Sequence, residues 1–198
     1  MTAATTTDEQ DRDDMARLAA GHDTALDDLM SRHAVPLYHY LFRMAQNETE
    51  ASDLAQETFV RVYLNRVKFK PTRKFSTWLY TIATNLARDL QRQRVRHPKV
   101  SLESEREDSG QSFHELLPDE KPNPVEMLEN EERSETVRLA VASLPDDLRA
   151  PLILSVYEEK SHAEIGEVLE CSAKAVETRL YRARRHLRER LEKALALP

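Results

Sequence analysis

The chain has 198 residues, 40% hydrophobic and 32% charged, with a formal net charge of −6. That composition allows one or two small cores, and no run approaches the roughly 20 apolar residues a membrane helix needs. One cysteine, Cys171, excludes a disulfide framework or a Cys-rich zinc module, and three glycines leave no material for a glycine-rich phosphate loop.

Residues 1–12 are rich in Thr and Asp, with no basic start and no apolar stretch. They read as a disordered tail and not as a signal peptide, and with the lone cysteine they set a soluble, cytoplasmic protein as the expectation. Helical periodicity fills 13–97. Leu18, Leu26, Leu29 and Met30 open it, and Leu37, Tyr38, Leu41, Phe42 and Met44 follow Pro36, which fits a first helical turn or a kink. The next helix spans 51–67, with Leu54, Phe59, Val62, Tyr63 and Val67 as its apolar set. Pro71 and Thr72 break the chain. Phe75, Trp78, Leu79, Ile82, Ala83, Leu86 and Leu90 then form one face of a long helix, with Ser76 as its expected cap. Thr77, Tyr80, Thr81, Thr84, Asn85, Arg88 and Arg92 are left for the opposite, outward face.

Residues 98–133 hold four of the nine prolines and many like charges, which predicts an acidic flexible linker. Helical periodicity resumes over 134–195. Leu144-Pro145-Asp146-Asp147 ends one helix and starts another. Ser161 and Glu164 have the spacing of a capping box, opening a short helix to about residue 169. Ser172 caps a longer helix carrying Val176, Leu180, Ala183, Leu187 and Leu191 on one face. A short helix, a tight break and a long basic helix make a helix-turn-helix pattern, and Gly166 falls where the two helices come close. The expected fold is therefore all-α: two small helical domains, 13–97 and 134–195, joined by the linker.

Charge is sorted along the chain. Residues 8–57 carry 12 acidic and 4 basic side chains, 61–99 carry 1 and 11, 100–135 carry 12 and 3, and 136–198 carry 10 and 11. Within the last block, 174–193 holds 8 basic and 3 acidic residues. Two basic stretches with interleaved aromatics are the footprint of nucleic-acid binding despite the negative total. Lys68-Phe69-Lys70 sets an aromatic between two cations, an arrangement suited to an unstacked base, although on the residues alone Phe69 tucked into the core is the favoured reading. The seven histidines are scattered without metal-ligand spacing, and Cys171 fits a packed turn position. No catalytic, cofactor or metal constellation emerges, so an enzyme is not expected.

Asp53-Leu-Ala-Gln-Glu-Thr-Phe59, Phe75-Ser-Thr-Trp-Leu-Tyr-Thr-Ile-Ala-Thr-Asn85, and Ala163-Glu-Ile-Gly through Arg179-Leu-Tyr-Arg-Ala-Arg184 resemble an extracytoplasmic-function (group 4) sigma factor of the sigma-70 family. The likeness runs in order from about residue 13 to 193. It implies a region 2 domain and a region 4 helix-turn-helix domain that bind core RNA polymerase and direct initiation at promoters. Asp53, Gln56 and Glu57 match the surface that docks on the clamp helices of the largest polymerase subunit, and region 4 would meet the flap of the second-largest. Phe69 and Asn85 match positions that hold flipped bases of the −10 element. The melting helix would bring Trp78, Tyr80 and Thr81 to the same DNA, followed by Arg88 and Arg92. The family melts DNA without ATP hydrolysis by capturing unstacked bases.

In the second domain, Lys174, Thr178, Arg179, Tyr181, Arg182 and Arg185 match the −35 recognition helix, and Arg184 suits a phosphate. The resemblance also implies an anti-sigma partner. Three departures stand out: Glu177 where Arg or Lys is common, Glu170 in place of the usual turn glycine, and a 68–74 loop without the common Arg-Gly pair. A stand-alone helix-turn-helix regulator of duplex DNA is the alternative reading. It accounts for 161–193 but not for the basic aromatic helix before the linker.

Overall fold

The computed structural model describes residues 3–96 and 135–195, and the described residues are helical with no strand. They fall into two compact units, one built from α1–α4 and the other from α5–α8. The expected 98–133 linker lies outside the described residues.

In the first unit, α1 (Ala3–Ala19), α2 (Thr24–Ala45), α3 (Glu48–Leu64), a 3₁₀ turn (Arg66–Lys68) and α4 (Phe75–Arg96) pack around Met15, Leu18, Leu29, Leu37, Tyr40, Leu41, Phe75 and Leu79. The tail expected over 1–12 is corrected: from Ala3 onward it belongs to α1. The reason is long-range pairing. Asp11 and Asp14 are buried, and both carboxylates bind Arg32 on α2. Acidic residues that looked like solvent-facing filler are instead neutralised by a partner 18 to 21 positions away. Pro36 lies inside α2 and is exposed, so α2 runs on through it. A left-handed Gln46 (φ 57°) ends α2, and Asn47 caps α3 by accepting from the Glu50 N–H at 2.9 Å. Arg94 near the end of α4 donates to Ala45 O (3.3 Å) and pairs with Glu50, tying α4 to that corner.

The faces of α4 are rotated from the sequence reading. Thr77, Tyr80 and Thr84 are buried, whereas Trp78 and Ile82 are partly exposed. Thr84 Oγ1 donates to Tyr80 O (2.6 Å), which leaves Tyr40 OH to donate to Thr84 (2.7 Å). The Tyr80 ring meets Tyr40 edge-on at 5.1 Å. A hydroxyl that back-bonds to the i−4 carbonyl needs no solvent, so threonine polarity did not mark the outer face. Ser76 is likewise not the cap, because α4 begins at Phe75 and Trp78 N–H already donates to Lys74 O.

In the second unit, α5 (helical at 135–142), α6 (Asp146–Val156), α7 (His162–Leu169) and α8 (Ala173–Leu195) enclose Leu144, Ile153, Leu154, Ile165, Val176 and Leu180. The turn at Leu144–Pro145 is held by buried Arg149, whose Nη2 donates to Ala142 O (2.6 Å) and Leu144 O (2.7 Å). Burial pushes this guanidinium's pKa down and nearby Asp146 opposes the shift. The otherwise unmatched carbonyls at the end of α5 thus gain a donor.

Candidate nucleic-acid and polymerase interfaces

Three exposed helix faces carry the chemistry. The first is on α3. Asp53 and Gln56 are exposed, while Glu57 is half-buried and accepts from Arg61 Nε at 2.8 Å. The same stripe continues into apolar residues at helical spacing: Val60 is 49%, Leu64 66% and Val67, on the 3₁₀ turn, 73% exposed. Val67 had been placed in the core by periodicity, and the structure turns it outward. A carboxylate end and a bare apolar end on one ridge make this a candidate docking surface. Sequence reasoning missed Val60 and Leu64. Their spacing from Asp53 (i+7 and i+11) was the available signal.

The second face is on α4 and the loop before it. Phe69 leaves the 3₁₀ turn in extended conformation and is half-buried. Its ring lies 5.4 Å from Trp78 and 6.2 Å from Phe75, and Phe75 lies 6.3 Å from Trp78. The trio forms an aromatic shelf whose Phe69 and Trp78 rims reach solvent while Phe75 is buried. From Trp78 one helical stripe continues through Thr81, Asn85, Arg88 and Arg92. Asn85 is exposed as expected. Thr81 Oγ1 donates to Thr77 O (2.8 Å) and accepts from Arg73 Nη2 (3.1 Å), which fastens the basic loop to α4. Arg92 lies 3.4 Å from Asp89 in an exposed pair. Of the residues that the resemblance matched to the −10 element, only Tyr80 is withdrawn from this face, since it is buried against Tyr40.

The third face is on α8, set by the helix-turn-helix. Ser161 and Glu164 form the reciprocal capping box that starts α7. Glu170 takes the left-handed conformation (φ 53°) usually given to glycine, and Cys171 N–H donates to Gly166 O at 2.9 Å. The departure at Glu170 therefore leaves the turn intact. Gly166 is required by closeness: a Cβ there would stand 2.6 Å from Cys171 O. Ser172 Oγ accepts from Ala175 N–H (3.2 Å), capping α8 as expected. Lys174, Thr178, Tyr181 (69% exposed), Arg182 and Arg185 then line one outward stripe, with Arg184 exposed beside it. Arg179 is set apart, donating from Nη1 to Cys171 Sγ at 3.4 Å. Lys174 pairs with Glu177 at 2.8 Å, which holds the Glu177 carboxyl below its usual range, and Arg185 pairs with Glu189 at 2.9 Å. Among the described residues no cluster of His, Cys, Asp or Glu is placed to hold a metal ion, and no helix is long and apolar enough to cross a membrane.

Known proteins share this arrangement. The sigma-70 region 2 family model matches residues 29–97 and the sigma-70 region 4 model matches 134–187. The ECF RNA polymerase sigma factor SigW of Bacillus subtilis is 36% identical over 172 residues, covering 86% of this chain and 91% of that protein. The chain belongs to the ECF RNA polymerase sigma factors. Its region 2 and region 4 domains serve promoter-specific transcription initiation with RNA polymerase. Among solved structures, CnrH in complex with the cytosolic domain of CnrY matches with a TM-score of 0.67 at 26% identity, over 93% of this chain and 98% of that one. The sigma factor RpoE of Bartonella quintana, solved with the anti-sigma factor NepR, shares the fold with a TM-score of 0.63 at 19% identity, over 84% and 96%.

Proposed function

We propose a division of labour among the three faces of this sigma factor. The α3 ridge of Asp53, Gln56, Glu57, Val60 and Leu64 docks on the clamp helices of the largest polymerase subunit. Carboxylates give complementarity to a basic partner, and the apolar end supplies buried area. Phe69, Trp78, Thr81, Asn85, Arg88 and Arg92 take the non-template strand of the −10 element. Lys174, Thr178, Tyr181, Arg182 and Arg185 read the −35 duplex, with Arg184 on a phosphate, while the region 4 unit meets the flap of the second-largest subunit. An anti-sigma factor that masks these faces is the further partner of this reading. The protein works as a non-catalytic initiation factor in the cytoplasm.

The observation that supports this reading most is the alignment of an exposed amide with an aromatic shelf. Asn85 stands two turns along α4 from Trp78 on the same stripe, with arginines beyond it. Stacking holds an unpaired base, the amide reads an edge, and guanidinium groups hold the backbone, so capture of one base offsets its unpairing. Asn85→Ala leaves folding and polymerase binding near wild type, because surface changes usually alter stability by about 0.5 kcal/mol or less. Open-complex formation falls, and the preference at one −10 position flattens in permanganate footprints on a set of −10 variants. Wild-type efficiency and ranking across that set would remove Asn85 from the reading.

A further inference from the structure

The burial of Asp11 calls for a reason, since a carboxylate with 1% exposure in a small bundle is costly unless fully used. It is fully used. Oδ1 accepts from Arg32 Nε at 3.0 Å and Oδ2 accepts from His33 Nε2–H at 2.8 Å. The second bond fixes the imidazole, and the imidazole lies against Phe75 with ring centroids 5.1 Å apart and planes tilted by 60°. Phe75 in turn backs both Phe69 and Trp78. A second tie from α1 falls next to the same residue: Asp8 pairs with Lys74 at 3.3 Å, one position before Phe75. Two carboxylates of α1 thus hold the neighbours of Phe75, the buried member of the aromatic shelf: Asp11 through His33, and Asp8 through Lys74.

We propose that His33 is a positioning residue for the −10 base site: held by Asp11, it sets the Phe75 ring and through it the spacing of Phe69 and Trp78. The proposal rests on the reading that Phe69 and Trp78 receive an unpaired base. A shelf that stacks a base must hold its rings at a set separation before the base arrives, because ordering them at the moment of capture would draw on the same small stacking energy. Phe75 is buried and cannot touch DNA, and His33 meets the shelf through the Phe75 ring, so its effect on the shelf runs through that ring. Helix α1 then prepares the promoter-melting surface besides stabilising the bundle.

The chain contains a single tryptophan, Trp78, which makes the shelf directly observable. Three single variants and one double variant, all full-length, are compared. His33→Ala removes both ring and hydrogen bond. His33→Gln keeps an N–H for Asp11 but lacks the ring. Phe69→Ala removes the shelf's outer ring. Circular dichroism and thermal melting establish folding, Trp78 emission and quenching report the shelf, and reconstituted holoenzyme gives polymerase affinity and open-complex yield. The expected result is that His33→Gln keeps near-wild-type melting and polymerase affinity, shifts Trp78 emission, and lowers open-complex yield by roughly tenfold, the scale of one stacking contact. In a Phe69→Ala background the His33→Gln change adds little, because both act through one shelf. If His33→Gln restores wild-type emission and opening while His33→Ala does not, His33 is only a clasp and the proposal is overturned. If Phe69→Ala lowers opening and His33→Gln leaves it unchanged, the positioning role alone is overturned. If Phe69→Ala opens promoters like wild type, the base-capture reading fails, and this inference fails with it.

Discussion

Single side chains decide whether the helix-turn-helix is built and how strongly it holds DNA. Gly166 admits no side chain, because the atom a Cβ would strike is the backbone carbonyl of Cys171 and not a flexible tip. Gly166→Ala should therefore cost about 1–3 kcal/mol in the region 4 unit, as overpacking does, and thermal melting should show it. Glu177 acts in the opposite sense. It ties up Lys174 on the outward stripe at 2.8 Å. Glu177→Ala frees that ammonium for a phosphate, so affinity for −35 duplex should rise. The slope of log K against log salt should steepen by about 0.9 in salt-titrated binding assays. An unchanged slope would mean that Lys174 makes no phosphate contact. An unexpected residue-scale result is that Glu170 occupies a left-handed position without help from a glycine. The capping box of α7 and the Ser172 cap of α8 fix the chain on both sides of it.

At the scale of helices, the α3 ridge is the face proposed to meet the polymerase. Asp53→Lys and Leu64→Glu test its two ends. Each should weaken core-polymerase affinity by about tenfold, the effect of a single significant interface residue, with circular dichroism and melting unchanged. Loss for Asp53→Lys alone would confine the interface to the acidic end. How the helices were legible follows from where their information lies. The capping box, the Ser172 cap and the apolar face of α8 are local patterns, and each appears in the structure at the expected residues. The faces of α4 were misjudged because Thr84 satisfies its hydroxyl inside the bundle, through Tyr80 O and the remote Tyr40 OH, and the Tyr80 ring packs on Tyr40 of α2. The first part of helix α1, up to residue 12, was missed for a similar reason. Its buried aspartates are explained only by Arg32 and His33, both remote in sequence. The α3 ridge was half legible: its acidic end is plain in the sequence, while the exposure of Val60 and Leu64 is visible only in the fold.

At the scale of the molecule, a chain of net charge −6 carries the two stripes proposed to meet DNA on two separately cored units. This follows from charge sorted by segment, with basic residues gathered in 61–99 and 174–193 and acidic ones elsewhere. Sorting keeps the overall charge from favouring non-specific DNA binding while leaving each stripe locally attractive to phosphate. A factor so built should select DNA only where both elements are offered together and the polymerase is present. Transcription in vitro with purified core polymerase, on a promoter library varied in the −35 element, the −10 element and the spacer between them, tests this most directly. The account predicts transcripts that require the added chain and that select two short motifs at a preferred separation. Tight sequence-specific binding to duplex DNA without polymerase, with no chain-dependent transcripts from any member of the library, would contradict it.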